Sequence, residues 1–190
     1  MFIEQDEFEY PDELDLPGYK PTLEGHSAQI KKAAKLINDA KKPVILAGHG
    51  VIISRAFDEL KELAEKAEIP VITTLLGLSS FPETHVLSVG MPGMHGVAYA
   101  SLAIDESDLV ISLGARFDDR VTGRISSFAP KAKIIHVDID PSSIGKNIKV
   151  DLPVVSDVEN FLKALNKRFK EKNKDFLNSN KSNISTCLLY

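Results

Sequence analysis

The chain holds a single cysteine, Cys187, and no tryptophan among its 190 residues. One cysteine can form neither an internal disulfide nor a multi-cysteine zinc site. No apolar run approaches the roughly 18 residues that a membrane-spanning helix needs. The opening MFIEQDEFEYPDELD lacks a basic start and an apolar core, so it does not read as a secretory signal, and the expected location is the cytoplasm. Excess positive charge is also missing. The net charge is −4, whereas a nucleic-acid binder is usually basic, so no nucleic-acid partner is expected. No histidine pair has the spacing of a helical metal motif, and no nucleophile stands beside a base.

What is present describes an ordinary globular domain: 43% hydrophobic and 26% charged residues, in a length that holds one full core rather than two. Charge is uneven. Residues 1–15 carry seven acids and no Lys or Arg, and residues 167–181 carry six bases and two acids. Both read as solvated ends. With Pro11, Pro17 and Pro21, residues 1–25 form an irregular arm; a folded domain is expected over 26–172 and a disordered tail over 173–190.

Within the domain, helices and apolar runs alternate. Ile30, Ala33, Ala34 and Ile37 fall at helical spacing, with Ser27 as the expected N-cap. A strand follows at PVILAG, from Pro43. The stretch 54–68 predicts a second helix, with Ser54 as cap and Phe57, Leu60, Leu63, Ala64 and Ala67 as one stripe. PVITTL, from Pro70, is a strand, and residues 77–96, with four glycines and two prolines, read as a long functional loop. A helix at VAYASLAIDES, strands at DLVISLGA, AKIIHVDI and LPVVS, a short helical turn over Ser142–Lys146 and a closing helix over 157–172 complete the pattern. The strands are continuous apolar runs, the mark of a parallel sheet covered on both faces. The expected fold is therefore a Rossmann-like three-layer α/β/α sandwich with a mostly parallel sheet of about five or six strands. Such sheets bind ligands at the carboxyl ends of their strands.

Those ends are rich in small, polar and charged residues. The first reads Gly48-His49-Gly50, where glycines either let backbone amides approach a phosphate or simply make a tight turn. Ile53 stands where the third glycine of GxGxxG would fall, so a nicotinamide-dinucleotide turn is not supported. The second ends in Thr73-Thr74-Leu75, whose hydroxyls could meet a ligand or cap the strand. The long loop carries MPGMHG, where Met94 and His95 could clamp a flat ring or pack a mobile loop. The third ends in GARFDDRVTG: Gly114 and Ala115 leave room, Arg116 offers a fork for phosphate or carboxylate, and Phe117 offers an apolar face. Asp118 and Asp119 are adjacent and so point apart, which disfavours a carboxylate dyad. Asp138 ends the fourth strand, where an acid commonly accepts from a ribose hydroxyl or an adenine amine, and Asp157 repeats the pattern. His136, inside an apolar strand, reads as a core residue. Together the five ends suit an elongated nucleotide.

The runs GMPGMHG, GARFDDRVTGRISSFAP and IIHVDIDPSSIGKN, preceded by PGYKPTLEGH, resemble the central domain of the acetolactate synthase family of large catalytic subunits, in order and with family spacing over roughly residues 10–165. GHGVIIS superficially resembles the GAGIS turn of NAD-consuming deacylases, but their histidine motif and four-cysteine zinc site are missing. The acetolactate synthase resemblance implies a domain that binds FAD, largely structurally, within an enzyme that joins pyruvate to a second 2-oxo acid through thiamine diphosphate and Mg2+. The glutamate that activates thiamine diphosphate and the GDG…NN motif belong to other domains, so the chain is expected to be a truncated domain, inactive alone. Other domains of the same subunit, homodimer or tetramer partners and a regulatory small subunit are its implied partners. A free-standing interaction domain that has lost its ligand is the alternative.

By the same resemblance, FAD would meet Gly48, His49 and Gly50, then Thr74 and Leu75, then Pro92, Gly93, Met94 and His95. Gly114, Ala115, Arg116, Phe117 and Asp118 would continue the site, and Asp138, Ile139, Asp157 and Val158 would hold its adenosine end. Arg120 would meet the carboxylate of the second 2-oxo acid, with Asp119 and Met94 beside it. His49 departs from the family, which more often has a small or amide residue between the two glycines.

Overall fold

The computed structural model describes Gly18 and residues 20–168. The expected arm up to Pro17, with Tyr19, the last residues of the expected closing helix, and the tail with Cys187 lie outside the described residues. Among the described residues no helix is long and apolar enough to cross a membrane.

Six strands form one all-parallel sheet: β1 (Pro43–Ala47), β2 (Val71–Thr73), β3 (Ser88–Gly90), β4 (Leu109–Leu113), β5 (Lys133–Asp138) and β6 (Leu152–Val155). Their order is β3-β2-β1-β4-β5-β6. The chain winds outward from β1 in one direction, then crosses back to place β4 on β1's other side. The order therefore reverses between β1 and β4, the point at which doubly wound sheets hold ligands.

Every residue of β1 and β4 is buried, which is why both are unbroken apolar runs. On one face Ile45, Ala47, Ile111, Leu113, Ile135 and Val137 pack against α1 (Ser27–Asp39), α3 (Phe57–Ala67) and α6 (Val158–Asn166). On the other, Val44, Leu46, Ile72, Val110 and Ile134 meet α4 (Ala98–Glu106). Among the described residues that second layer contains one long helix. Irregular segments supply the remaining cover, through Ala115, Phe117, Ala129 and Ile148. At the amino edge two carboxylates complete the ladder. Asp108 accepts from the Lys41 and Lys42 amides at 2.7 and 2.9 Å, and Asp151 accepts from the Ile134 amide at 2.9 Å. The end of the expected arm is docked beside β6, where Leu23 O accepts from the Asp157 amide and the Ser156 hydroxyl, both at 3.0 Å.

The structure corrects several local expectations. His26, not Ser27, caps α1: its Nδ1 accepts from the Ala28 amide at 3.3 Å. The second helix begins at Phe57, because residues 49–53 already form a short helix, α2 (His49–Ile53). Ser54 ends α2 rather than capping α3, and its hydroxyl turns back to Gly50 O at 2.8 Å. Leu60, Leu63, Ala64 and Ala67 make the buried stripe of α3, while Phe57 stays exposed. The long loop contains β3, a three-residue edge strand. The helical turn expected over Ser142–Lys146 is replaced by a turn built on Asp140. The Asp140 carboxylate accepts from the Ser142 amide and from the Ser142 and Ser143 hydroxyls, which lowers its pKa, and Gly145 follows at φ +70°.

Phe161 of α6 is fully buried in the larger core. Phe161→Ala should therefore lower the unfolding free energy by about 3–5 kcal/mol. Phe57→Ala, outside the buried stripe, should change it by less than about 1 kcal/mol. Urea denaturation of the two variants checks both, and equal losses would contradict this packing.

Candidate functional site

At the carboxyl edge the hydrogen-bond ladder continues one residue past the strands. The Thr74 amide donates to Ala47 O at 2.9 Å, Gly48 to Leu113 O at 2.9 Å, Gly114 to Val137 O at 2.8 Å, and Ser156 to Asp138 O at 3.1 Å. The residue that follows each of β1, β2, β4 and β6 is thus held by the neighbouring strand, and five strand ends are locked in one row.

Around the point of reversal the contact is backbone on backbone. The Gly50 amide donates to Gly114 O at 3.1 Å. A Cβ on Gly48 would lie 2.2 Å from Gly114 O, and one on Gly114 would lie 2.5 Å from Gly50 Cα. Gly114 also has φ +58°, so two constraints demand glycine there. These three glycines are explained first by this interlock. It keeps the edge free of side chains and leaves His49 exposed beside it. Gly77, at the end of a 3₁₀ turn begun by Leu75, packs on Ala47 O and Gly48 Cα, which joins Thr74 and Leu75 to the same patch.

The Met91–Gly96 loop joins from the other side. The Met94 amide donates to Arg120 O at 3.3 Å, and Gly93, at φ +91°, lies against the Arg120 and Val121 backbone. Met94 and Arg120, 26 positions apart in the chain, are therefore neighbours, and Met94 is 68% exposed. Pro92 is buried and His95 exposed.

The opposed charges of the RFDDR segment divide as their adjacency requires. Arg116 pairs with Asp118 at 2.9 Å and Arg120 with Asp119 at 3.9 Å, all four side chains being largely exposed. Exposed pairs of this kind contribute only about 0–1 kcal/mol, so stability does not explain their concentration. Asp118 leads into a single helical turn, α5 (Asp119–Thr122).

Some expected site residues face inward. Phe117 is 2% exposed and takes φ +54°. Its ring meets Phe128 and His136 edge-on, with centroids 5.7 and 4.9 Å apart, so it offers no face to a ligand. A left-handed phenylalanine costs about 1–3 kcal/mol, which this packing must offset. Ala115 and Val158 are buried as well. Asp157 uses its carboxylate as the N-cap of α6, accepting from the Glu159 and Asn160 amides. Asp138 is 9% exposed and accepts from the Asp140 amide at 3.0 Å, while Ile139 beside it is exposed. Asp138 and Ile139 therefore continue the edge, whereas Asp157 and Val158 serve chiefly to start a helix.

His136 is in the core as expected, but only half satisfied. It is fully buried, its Nδ1 accepts from the Gly145 amide at 3.4 Å, and its Nε2 has no hydrogen-bond partner. Asn147, which no sequence signal singled out, donates to Arg116 O at 3.2 Å and Phe117 O at 3.0 Å. Among the described residues no group of three or more His, Cys, Asp or Glu side chains could hold a metal ion.

Two outcomes follow. Gly114→Ala should cost at least about 1–3 kcal/mol of stability in urea, since both its φ and its contact with Gly50 forbid a Cβ. Burial holds the His136 pKa below its ordinary 6.5, against opposing pulls from the Asp138 carboxylate and the Ala115 carbonyl. Below 6.5 the unfolded chain takes up a proton that the folded chain refuses. This contribution to stability is thus complete above 6.5 and is lost as pH falls toward the lower folded-state value. His136→Leu should flatten that part of the slope when unfolding is followed from about pH 8 to about pH 5; an unchanged slope would refute it.

Residues 30–165 match the family model described as thiamine pyrophosphate enzyme, central domain. The chain is 56% identical over 163 residues to a probable acetolactate synthase large subunit of Methanocaldococcus jannaschii, covering 86% of this chain and 28% of that protein. It is 54% identical over 155 residues to an acetolactate synthase of Mycobacterium leprae, covering 82% and 25%. It is also 51% identical over 185 residues to a probable acetolactate synthase large subunit of Methanococcus aeolicus, covering 96% and 31%. The chain thus spans roughly a quarter to a third of the length of these curated relatives. It belongs to the thiamine pyrophosphate enzyme family as a central domain, and within that family it is similar to acetolactate synthase large subunits.

Proposed function

We propose that this chain is the FAD-binding central domain of an acetolactate synthase, a cytoplasmic enzyme that condenses pyruvate with a second 2-oxo acid. The observation that carries this is the glycine-lined edge at Gly48, Gly50 and Gly114, with exposed Leu75 beyond the end of β2 and, after β4, exposed Arg116 and the Arg120 segment against which exposed Met94 is held. A bare backbone between a guanidinium and apolar side chains suits a ligand that is anionic in one part and flat and apolar in another. The Asp138–Ile139 end adds an acceptor and an apolar face for the adenosine.

In this reading Arg116 binds the FAD diphosphate, and Asp118 holds its guanidinium in place. FAD supplies structural support rather than net redox chemistry. Arg120 forms a bidentate pair with the carboxylate of the second 2-oxo acid, and Met94 packs beside it. Asp119 keeps the Arg120 guanidinium turned toward the substrate. Thiamine diphosphate and Mg2+ bind on other domains of the parent enzyme, whose subunits and regulatory partner complete the assembly.

The test is a titration of the 190-residue chain with FAD, followed by thermal unfolding and flavin fluorescence. A ligand at 100 times its Kd adds about 2.7 kcal/mol, a readily measured rise in Tm. Arg116→Ala should weaken FAD binding by roughly tenfold or more, the worth of a charge-assisted hydrogen bond. A folded chain that shows no shift at saturating FAD would overturn the proposal and leave the domain as an interaction scaffold.

A further inference from the structure

The Arg116–Phe117 backbone receives two hydrogen bonds from one side-chain nitrogen about thirty residues away in sequence. Asn147 Nδ2 donates to Arg116 O at 3.2 Å and to Phe117 O at 3.0 Å. In an extended chain successive carbonyls point to opposite sides, so one amide group could not reach both. Here Phe117 lies at φ +54°, which turns the two carbonyls toward the same side. The double donation therefore matches the left-handed conformation and would be lost if Phe117 relaxed to the extended one.

We propose that Asn147 is a positioning residue: its carboxamide holds Phe117 in the left-handed region, so that Phe117 turns inward while Arg116 and Asp118 stay paired on the carboxyl edge. The effect on ligand binding rests on the proposed role of Arg116; the effect on the backbone does not. Asn147 is well placed for the task because it is itself anchored on both sides. Two residues before it, the Gly145 amide donates to the buried His136 Nδ1, and the residue after it, Ile148, is buried in the core beneath α4. His136 also carries the Phe117 ring, at 4.9 Å between centroids. The 140–148 turn and the RFDDR segment thus share one support. The Phe117 side chain is held from below by His136 and its backbone from outside by Asn147.

The experiment compares the full chain with Asn147→Asp and Asn147→Ala. The aspartate keeps the shape but sets a carboxylate oxygen against two carbonyls; the alanine only removes the donors. Amide hydrogen exchange is measured at residues 118–123, whose turn is closed by the Val121 and Thr122 amides on Asp118 O. Exchange there should rise by about tenfold in Asn147→Ala and further in Asn147→Asp, with amides of β1 and β4 unchanged, and FAD should bind about tenfold more weakly. If Asn147→Asp fails to fold, Asn147→Ala decides alone. Unchanged exchange at 118–123, or exchange that rises equally throughout the sheet, overturns the inference. FAD binding that stays as tight in a variant with raised local exchange overturns its effect on the ligand. Should the parent chain bind no FAD, the proposed function fails while the exchange data still decide the role of Asn147.

Discussion

The contact of Gly114 with Gly48 and Gly50 sets the geometry of the whole carboxyl edge. β1 and β4 are neighbours in the sheet but 66 residues apart from Pro43 to Leu109. Their ladder fixes the strands, and the Gly50 amide on Gly114 O carries the pairing one step beyond it. No side chain fits between the two turns. The point where strand order reverses is thus closed by main chain and the small Ala115 side chain. The same interlock places α2 directly over β4's exit, and so fixes where Arg116 leaves the sheet.

Arg116 begins a segment that has two duties. Ala115, Phe117 and Ala129 complete the core on the face that α4 covers, while Arg116, Asp118, Asp119 and Arg120 stand in solvent. Buried and exposed residues alternate along 115–118, and within that run Phe117 takes the left-handed conformation. The strain is offset by aromatic packing on a histidine that burial keeps toward its neutral form. Protonating the imidazole under Phe117 would put a charge in the core and set an N–H at Nδ1 against the Gly145 amide that now donates to it, so the neutral form is the one this core accommodates.

Much of the fold was legible because long elements bury continuous faces. The runs at 43–48, 108–115 and 132–139 are too apolar to be anything but interior strands, and α1 and α3 announced themselves by period. The failures have local causes. α2 went unread and α3 was begun too early because Ser54 looks like a cap, and only the structure shows its hydroxyl bonded backward to Gly50. β3 is three residues at a sheet edge, none of them fully buried, so no apolar run marks it. The Ser142–Lys146 stretch lost its helix to the Asp140 carboxylate, which offers nearby amides and hydroxyls a better partner than a helical turn would. At the candidate site, the segments named from the sequence lie along one sheet edge, but the facing of each side chain could not be read from it. Phe117 and Asp157 have suitable chemistry and spend it inward, one on the core and one on a helix cap. Asn147 was invisible because its partners are carbonyls thirty residues away, and a carbonyl leaves no trace in residue identity.

The thinness of the second layer explains why the candidate site and the core are hard to separate. Where a helix covers a sheet, its own hydrogen bonds fix its backbone and its outward face can vary freely. Where an irregular segment does so, the backbone needs side chains to fix it: here Asn147 on Arg116 and Phe117, Thr122 on Asp118 O at 3.3 Å, and Ser127 on Arg124 O at 3.0 Å. Each bond constrains a carbonyl next to an exposed charge. A substitution that loosens the cover must therefore also move the guanidinium groups of Arg116 and Arg120, and a change at the edge is felt in the packing of Phe117 against His136. For this domain, holding the sheet closed and presenting the charged edge are one mechanical task.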